Sequence, residues 1–440
     1  MKIEKTTASF VSLGCFKNVV DTEVLGGLLE KKGVKIVSSY EKSDWLIVNT
    51  CGFIRDAKEE SINAILEAIE KKENGEVKHV AIIGCLSQRY YNEIKNNFKN
   101  ADIIWGVNEP EQLAESISKT KKRDYKDKEP FLYNDTYNRI ITTPPNTTFI
   151  KISEGCNMQC SFCAIPQIKG RFRSREIGSI LKEAENYKKI GFQEINLISQ
   201  NSTYFGKDKG KKSKLPELLK EISKIGFKWV RVLYLMPEEV DSEIIESFSN
   251  PTILPYFDLP FQHISLKILK KMNRKGGTEK NLELIENIRR KIKNAIIRTT
   301  FIIGFPGETE SDFNELIEFA KKSSIERIGA FEFSEEENTA AFKLKKRVAP
   351  EIIKDRIETL MDISDGNIEN YNKTLINSIQ EFLPLGPCPW DNKSTVGRIK
   401  SQAPEIDGLT VVNELFKDIY KIYNIKISGY ENEILEGEKI

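Results

Sequence analysis

Histidine is nearly missing from this sequence: His79 and His263 are the only two among 440 residues. A closed structural zinc site takes four Cys or His ligands, so the chain has little with which to complete one beside its clustered cysteines. Long apolar runs are missing as well. None approaches the ~20 residues needed to span a bilayer, which excludes a helical membrane protein. The opening MKIEKTTASFVSLG lacks the charged start, apolar core and small-residue cleavage site of a secretory signal, so a cytoplasmic protein is expected. Net charge is small too: 67 Lys and Arg against 65 Asp and Glu leave +2, which argues against a surface that coats nucleic acid. Cysteines number seven. That count is odd and three lie too close together to pair with one another, so a reducing compartment and metal ligation are expected in place of a disulfide scaffold.

What is present is strand and helix alternation, in a chain long enough for about three domains at ~150 residues each. Three apolar, β-rich runs each end in a cysteine: ASFVSLGC at Cys15, DWLIVNTC at Cys51 and VAIIGC at Cys85. Helix-like stretches follow each, and a fourth run, ADIIWGVNE, continues the pattern. Near-continuous apolar strands alternating with amphipathic helices predict a parallel sheet covered on both faces. Ligands of such sheets bind at the carboxyl ends of the strands, so Cys15, Cys51 and Cys85 are expected to converge. The N-terminal domain is placed at 1–120. The polar, Pro-interrupted segment from Lys119 to Thr148 is read as the linker that follows.

From about Thr147 the alternation restarts with TTFIKIS, EINLISQ, WVRVLYLMP, YFDLPFQ, AIIRTTFIIGFPGE and RIGAFEFS. Six strand–helix units predict an incomplete (β/α)6 barrel, at 142–375, with its chemistry at the carboxyl ends of the strands. The remaining segment, 376–440, has Gly and Pro turns and alternating runs such as IYKIYNIKIS, and is expected to form a small antiparallel β module. The whole chain is thus of the α/β class.

Directly after the first barrel strand comes SEGCNMQCSFCAIPQIKGRFRSR, with Cys156, Cys160 and Cys163 at C-x3-C-x2-C. Neither histidine is local, so a four-ligand zinc site is short of donors. Three thiolates on one short loop instead suit a cubane iron–sulfur cluster with one iron left open. Taken singly, Cys15, Cys51 and Cys85 are as readily core filler, since free cysteine is often buried. Three at equivalent strand ends point to a second three-cysteine cluster. Cys388 has no such company and is taken as structural. Position at the barrel's strand ends makes Ser199, Gln200, Gln262 and His263 candidates for cofactor binding, along with Arg298 at the start of the fifth strand, whose guanidinium suits a carboxylate. GFPGE, Gly304 to Glu308, is either a close approach to a nucleoside or a tight βα loop. Arg171, Arg173 and Arg175 read as a solvated or phosphate-facing strip, and GKDKGKKSK as a solvated loop.

The motifs SLGCFKNVVDTE, NTCGFIRDAKEESI, GCLSQRY, EGCNMQCSFCAIPQIKGRFRSR, LISQNSTYFG, LPFQHIS, TTFIIGFPGETE, FSEEENTAAF and GRIKSQAPEIDG run in order through nearly the whole chain. They resemble the radical S-adenosylmethionine methylthiotransferases, and among these the RimO type that modifies an aspartate of ribosomal protein S-twelve. The resemblance implies an auxiliary-cluster domain, a radical SAM barrel and a TRAM domain. It implies two 4Fe-4S clusters, one held by Cys156, Cys160 and Cys163 and one by Cys15, Cys51 and Cys85, together with S-adenosylmethionine. The first cluster would serve radical generation and the second the supply of a methylthio group, with a flavodoxin or ferredoxin as electron donor. The cofactors carry that chemistry; no triad or general base is needed. Phe16 stands where the family usually has proline, Lys169 where arginine is common, Asn201 for aspartate and Asn338 for glycine. The sibling activity, methylthiolation of a transfer RNA adenosine, is the competing reading; a non-catalytic iron–sulfur or RNA-binding module would not need two open clusters and a barrel. From Ile379 to Ile440 ten Asp/Glu against seven Lys/Arg give −3, which suits a basic ribosomal protein better than RNA and implies no stable nucleic-acid binding.

Overall fold

The computed structural model describes residues 5–38, 41–121 and 130–440. The middle of the expected linker, 122–129, lies outside the described residues. The first strands and helices are β1 (Thr7–Ser12), α1 (Phe16–Lys31), β2 (Lys35–Ile36), β3 (Ser43–Thr50), α2 (Arg55–Glu73), β4 (Val77–Gly84), α3 (Cys85–Arg89), α4 (Tyr91–Asn97), β5 (Ile103–Ile104) and α5 (Pro110–Ser118). Their sheet is parallel throughout, in the order β2-β1-β3-β4-β5. Alternate residues of the central strands feed two cores, which is why those strands read as unbroken apolar runs. Trp45, Ile47, Ala81 and Ile83 pack with Leu25, Leu29 and Leu113. Leu46, Val48, Val80 and Ile82 pack with Ile65, Ala68 and Leu86. The strand order reverses between β1 and β3, and the crevice at such a switch point is where open α/β sheets bind ligands.

The chain continues through β6 (Thr147–Lys151), β7 (Ser153–Glu154), α6 (Ile165–Lys169), β8 (Arg173–Ser174), α7 (Ile177–Ile190), β9 (Glu194–Ile198), α8 (Leu215–Ile222), β10 (Trp229–Val232), α9 (Ser242–Ser247), β11 (Tyr256–Asp258), α10 (Leu266–Met272), α11 (Thr278–Lys291), β12 (Ile296–Ile303), α12 (Glu310–Ser323), β13 (Arg327–Glu332) and α13 (Pro350–Leu375). Two compact units result. One comprises Met1–Thr142, Ser153–Ser179 and Ser334–Phe342; the other comprises Thr143–Ile152, Ile180–Phe333 and Lys343–Ile440.

In the second unit, parallel sheets β10-β9-β6 and β11-β12-β13 are joined by the bonds Leu254 N to Val230 O at 2.8 Å and Leu235 N to Asp258 O at 2.9 Å. Six parallel strands therefore form an open (β/α)6 arc, as expected. The C-terminal segment adds β14 (Ile379–Cys388), β15 (Asp391–Ile399), β16 (Thr410–Val412), β17 (Tyr423–Glu431) and β18 (Ile434–Lys439). These close into a barrel in the order β14-β15-β16-β18-β17 around Phe382, Ile399, Phe416, Ile425 and Ile427. Its pairings are antiparallel except β16 with β18, which run parallel. Glu194, opening β9, is fully buried and bonds Arg231 of β10 and Arg398 of β15. The small barrel is thereby tied to the amino-terminal end of the strand arc, opposite to where such arcs carry chemistry. No helix among the described residues is long and apolar enough to cross a membrane.

Candidate active site

Cys15 is the N-cap of α1, Cys51 follows β3 directly and Cys85 opens α3 after β4. A Cβ added at Gly14 would lie 2.9 Å from the Cys51 sulfur, and one at Gly52 would lie 2.8 Å from the Leu86 backbone and 3.0 Å from that of Cys85. The loops that carry the three cysteines thus adjoin one another at the switch point. Gly14 has φ +88°, which only glycine adopts at low cost. Asn18 ties the loops together: its side-chain amide donates to Leu13 O (3.0 Å) and Thr50 O (3.2 Å), and the Cys85 thiol donates to its Oδ1 (3.6 Å). Ser61 accepts from Cys51 N at 2.9 Å and donates to Cys51 O at 3.0 Å. Cys51 and Cys85 are nearly buried, while Cys15 is half-buried. Burial, helped by the neighbouring Cys15 and Glu60 and opposed by the backbone N–H groups of Phe53 and Gly52, pushes the Cys51 thiol up to about 11; burial likewise pushes Cys85 up to about 12, against the opposing pull of the Lys169 ammonium. Iron would provide the positive charge that such thiolates require.

The second cysteine loop belongs to the same compact unit. Its neck is the antiparallel pairing of β7 with β8, closed by Cys156 N donating to Gly170 O at 3.2 Å. A Cβ at Gly155 would stand 2.2 Å from Arg171 O, so the strands approach this closely only with glycine there. Within the loop, Cys163 N donates to Cys160 O at 3.2 Å and Met158 N to the Cys156 sulfur at 3.4 Å. The three cysteines face a cavity of about 360 Å³ that Arg171 and Asn338 also line. No three Cys, His, Asp or Glu groups among the described residues converge as ligands of a single ion do. A cubane spreads its thiolates over different irons, so the open loop fits a cluster without such convergence.

The two cysteine sets are linked. Cys85 packs against Ala164 and Ile168, which follow Cys163. Lys169, 4% exposed, ends the same helix and reaches Asp21 of α1 at 2.8 Å and Glu154 at 3.8 Å. Segment 334–342 is clasped to this unit: Glu336, 2% exposed, bonds Arg89 and lies 3.0 Å from Lys58, and Glu337 bonds Tyr90. Ala341 N then donates to Ser161 O at 2.7 Å within the cysteine loop.

In the second unit, Ser199 is fully buried; its hydroxyl accepts from Asn201 N at 2.9 Å and lies 3.2 Å from that of Ser202, shaping the turn after β9. Gln200 is half-buried beside it. Gln262 has φ +69°, an uncommon conformation for this residue, and is half-buried. His263 is fully buried; its Nδ1 accepts from Ile264 N (2.8 Å) and Ser265 N (3.0 Å), and Nε2 stands 3.5 Å from Glu308. Glu308 also receives Gly304 N and Arg356, so the GFPGE loop is held from within by its own carboxylate. Arg298 lies in the amino-terminal half of β12, 3.0 Å from Asp258 and 3.9 Å from Asp407. Of the expected arginine strip, Arg171 is exposed, but Arg175 is 4% exposed and stacks over Tyr133 at 4.2 Å. The strip is therefore not uniformly solvated. GKDKGKKSK is mostly exposed, as expected.

The four departures fit their sites. Phe16 occupies N1 of α1, where proline is favoured, and buries its ring. Asn338 has φ +63°, explaining why glycine suits the position; asparagine is the next best tolerated. Asn201 donates to Glu239 Oε2 at 2.9 Å, a bond an ionised aspartate would replace with repulsion. Lys169 meets the paired carboxylates described above. Sequence reasoning missed the Arg89–Glu336 clasp and Glu194, because nothing local signals partners more than two hundred residues away.

An open six-strand arc with a three-cysteine loop after its first strand defines a radical SAM enzyme. Residues 150–320 match the Radical SAM superfamily, and residues 7–106 match the uncharacterized protein family UPF0004. The ribosomal protein uS12 methylthiotransferase RimO of Syntrophomonas wolfei is 40% identical over 436 residues, covering 98% of this chain and 99% of the relative. The protein of that name from Clostridioides difficile is 40% identical over 409 residues, 92% of each. Among solved structures, the radical S-adenosylmethionine methyltransferase TsrM from Kitasatospora setae aligns with a TM-score of 0.53 at 15% identity over 77% of each chain, a likeness of fold. The chain belongs to the RimO family of radical SAM methylthiotransferases.

Proposed function

We propose that this enzyme places a methylthio group on the β carbon of an aspartate in ribosomal protein uS12, using two 4Fe-4S clusters and S-adenosylmethionine. The observation that carries the reading is the meeting of Cys15, Cys51 and Cys85 in one compact unit with the loop of Cys156, Cys160 and Cys163. The bound groups supply a carbon-centred oxidant at the one cysteine set and transferable sulfur at the other. The chain's own residues do the rest. Asn18, Ser61 and Gly14 fix the three auxiliary cysteines, and half-buried Cys15 leaves that site an open side. Ala164, Ile168 and Val107 keep Cys85 in apolar surroundings.

Ser199, Gln200, Gln262 and His263 belong to the cofactor pocket in this proposal, with Ser199 and His263 acting by fixing the backbone of their loops. Arg298, held by Asp258 and near Asp407, is better suited to joining the small barrel to the strand bases than to meeting a methionyl carboxylate. The functional segments are 1–120, 142–375 and 376–440. A flavodoxin or ferredoxin supplies the electron, the enzyme works in the cytoplasm, and the acidic C-terminal module favours a basic protein over RNA. Mass spectrometry of uS12 and of transfer RNA hydrolysates, from cells with and without this protein, tests the proposal. A methylthio group should vanish from the uS12 aspartate. Its loss from adenosine with uS12 unchanged would assign the enzyme to transfer RNA.

A further inference from the structure

The ammonium of Lys169 sits at a junction that the family assignment does not explain. It is 4% exposed, on the helix that follows Cys163, 2.8 Å from Asp21 of α1 and 3.8 Å from Glu154 of β7, and its neighbour Ile168 packs against Cys85 of α3. The carboxylates of Asp21 and Glu154 balance its charge, so it is held as the cation of a buried ion pair. Lys17, two residues after Cys15 and 8% exposed, is a second buried cation of the same unit, but it stands on the Cys15 side. A charge without water around it acts on its neighbours with little screening.

We propose that Lys169 is a positioning residue that, paired with Asp21, sets the reduction potential of the cluster held by Cys15, Cys51 and Cys85. This rests on the reading of those cysteines as cluster ligands. Reduction adds one negative charge to the cluster; a buried ammonium stabilises the product of that step and the half-buried carboxylate of Asp21 opposes it. Lys169 therefore raises the potential and Asp21 lowers it. The same side chain carries the α6 end of the radical-cluster loop, so the potential and the seating of that loop share one residue.

The test is an EPR-monitored redox titration of reconstituted full-length protein in a Cys156→Ala, Cys160→Ala, Cys163→Ala background, in which the auxiliary cluster alone gives the signal. Lys169→Met should make reduction at least about tenfold less favourable, a shift of ~59 mV to more negative potential for a one-electron couple. Asp21→Asn should shift it the opposite way, and Lys169→Arg, which keeps the charge, should leave it close to the parent. Equal potentials in all four proteins, or shifts of the same sign for Lys169→Met and Asp21→Asn, would overturn the proposal. If Lys169→Met loses its iron, the sign of the Asp21→Asn shift decides. A background protein that binds no iron would instead refute the ligand assignment of Cys15, Cys51 and Cys85, and this inference with it.

Discussion

Replacing Glu194 by alanine should weaken the second unit more than any surface change. The carboxylate is fully buried, with Arg231 at 0% and Arg398 at 1% exposure around it, and Thr147 Oγ1 donates to it at 2.7 Å. Its removal strands two guanidinium charges. They keep the carbonyls of Gln402 and Lys400, at 3.0 and 3.2 Å from Arg231, so the loss falls at the low end of the roughly 3–5 kcal/mol typical of a broken buried pair. Linkage gives a similar size. Despite burial, which opposes ionisation, Arg398 and Arg231 hold the Glu194 carboxyl at about 2, against an ordinary 4.5. At 1.36 kcal/mol per unit that gap corresponds to roughly 3 kcal/mol. Because the folded pKa is depressed, this stability is present above about pH 4.5 and drains away as pH falls toward 2. At roughly 2–4 °C per kcal/mol for a unit of this size, Glu194→Ala should melt about 6–12 °C lower at neutral pH. Scanning calorimetry at pH 7 and again in acid measures both effects, the gap narrowing in acid. Coincident melting at pH 7, or a gap that widens in acid, would refute the reasoning.

Gly14→Ala, forced to φ +88° with its Cβ against the Cys51 sulfur, should lose about half the iron of reconstituted protein, whereas Gly33→Ala, at φ +84° but in open space, should keep it; an iron assay compares them. Arg89→Ala leaves buried Glu336 with Lys58 and the Ser334 hydroxyl and removes the tie to Glu337, so cleavage of segment 334–342 in limited proteolysis should quicken at least several-fold. Cys388→Ser, 4% exposed at the end of β14, should leave iron content unchanged while lowering stability by about 1 kcal/mol, read by thermal melting.

Much of this architecture was legible because it rests on local pattern. The runs ending at Cys51 and Cys85 are β3 and β4, whose alternate residues feed opposite cores. Six strand runs after Thr147 became the arc, although WVRVLYLMP shrank to Trp229–Val232 because Tyr234 turns to φ +62°. Two-residue β2 was invisible, being too short for any period. The cysteine loop is legible by spacing, but its membership of the N-terminal unit is not: that depends on Ala164 and Ile168 against Cys85, and on Lys169 reaching Asp21. Nothing within FSEEENTAAF shows that Glu336 is buried against Arg89 and Lys58, which come from far earlier in the chain. Arg298 looked free to bind a carboxylate because its partners Asp258 and Asp407 lie 40 and 109 positions away.

The central claim is that the two cysteine sets divide radical generation from sulfur supply, and separate triple-alanine variants under reducing anaerobic conditions test it most directly. With the fold intact by circular dichroism, the Cys156/Cys160/Cys163 variant should form no 5′-deoxyadenosine. The Cys15/Cys51/Cys85 variant should still form it and yet transfer no methylthio group to uS12. Loss of 5′-deoxyadenosine in both variants, or methylthio transfer by the second, would contradict the account.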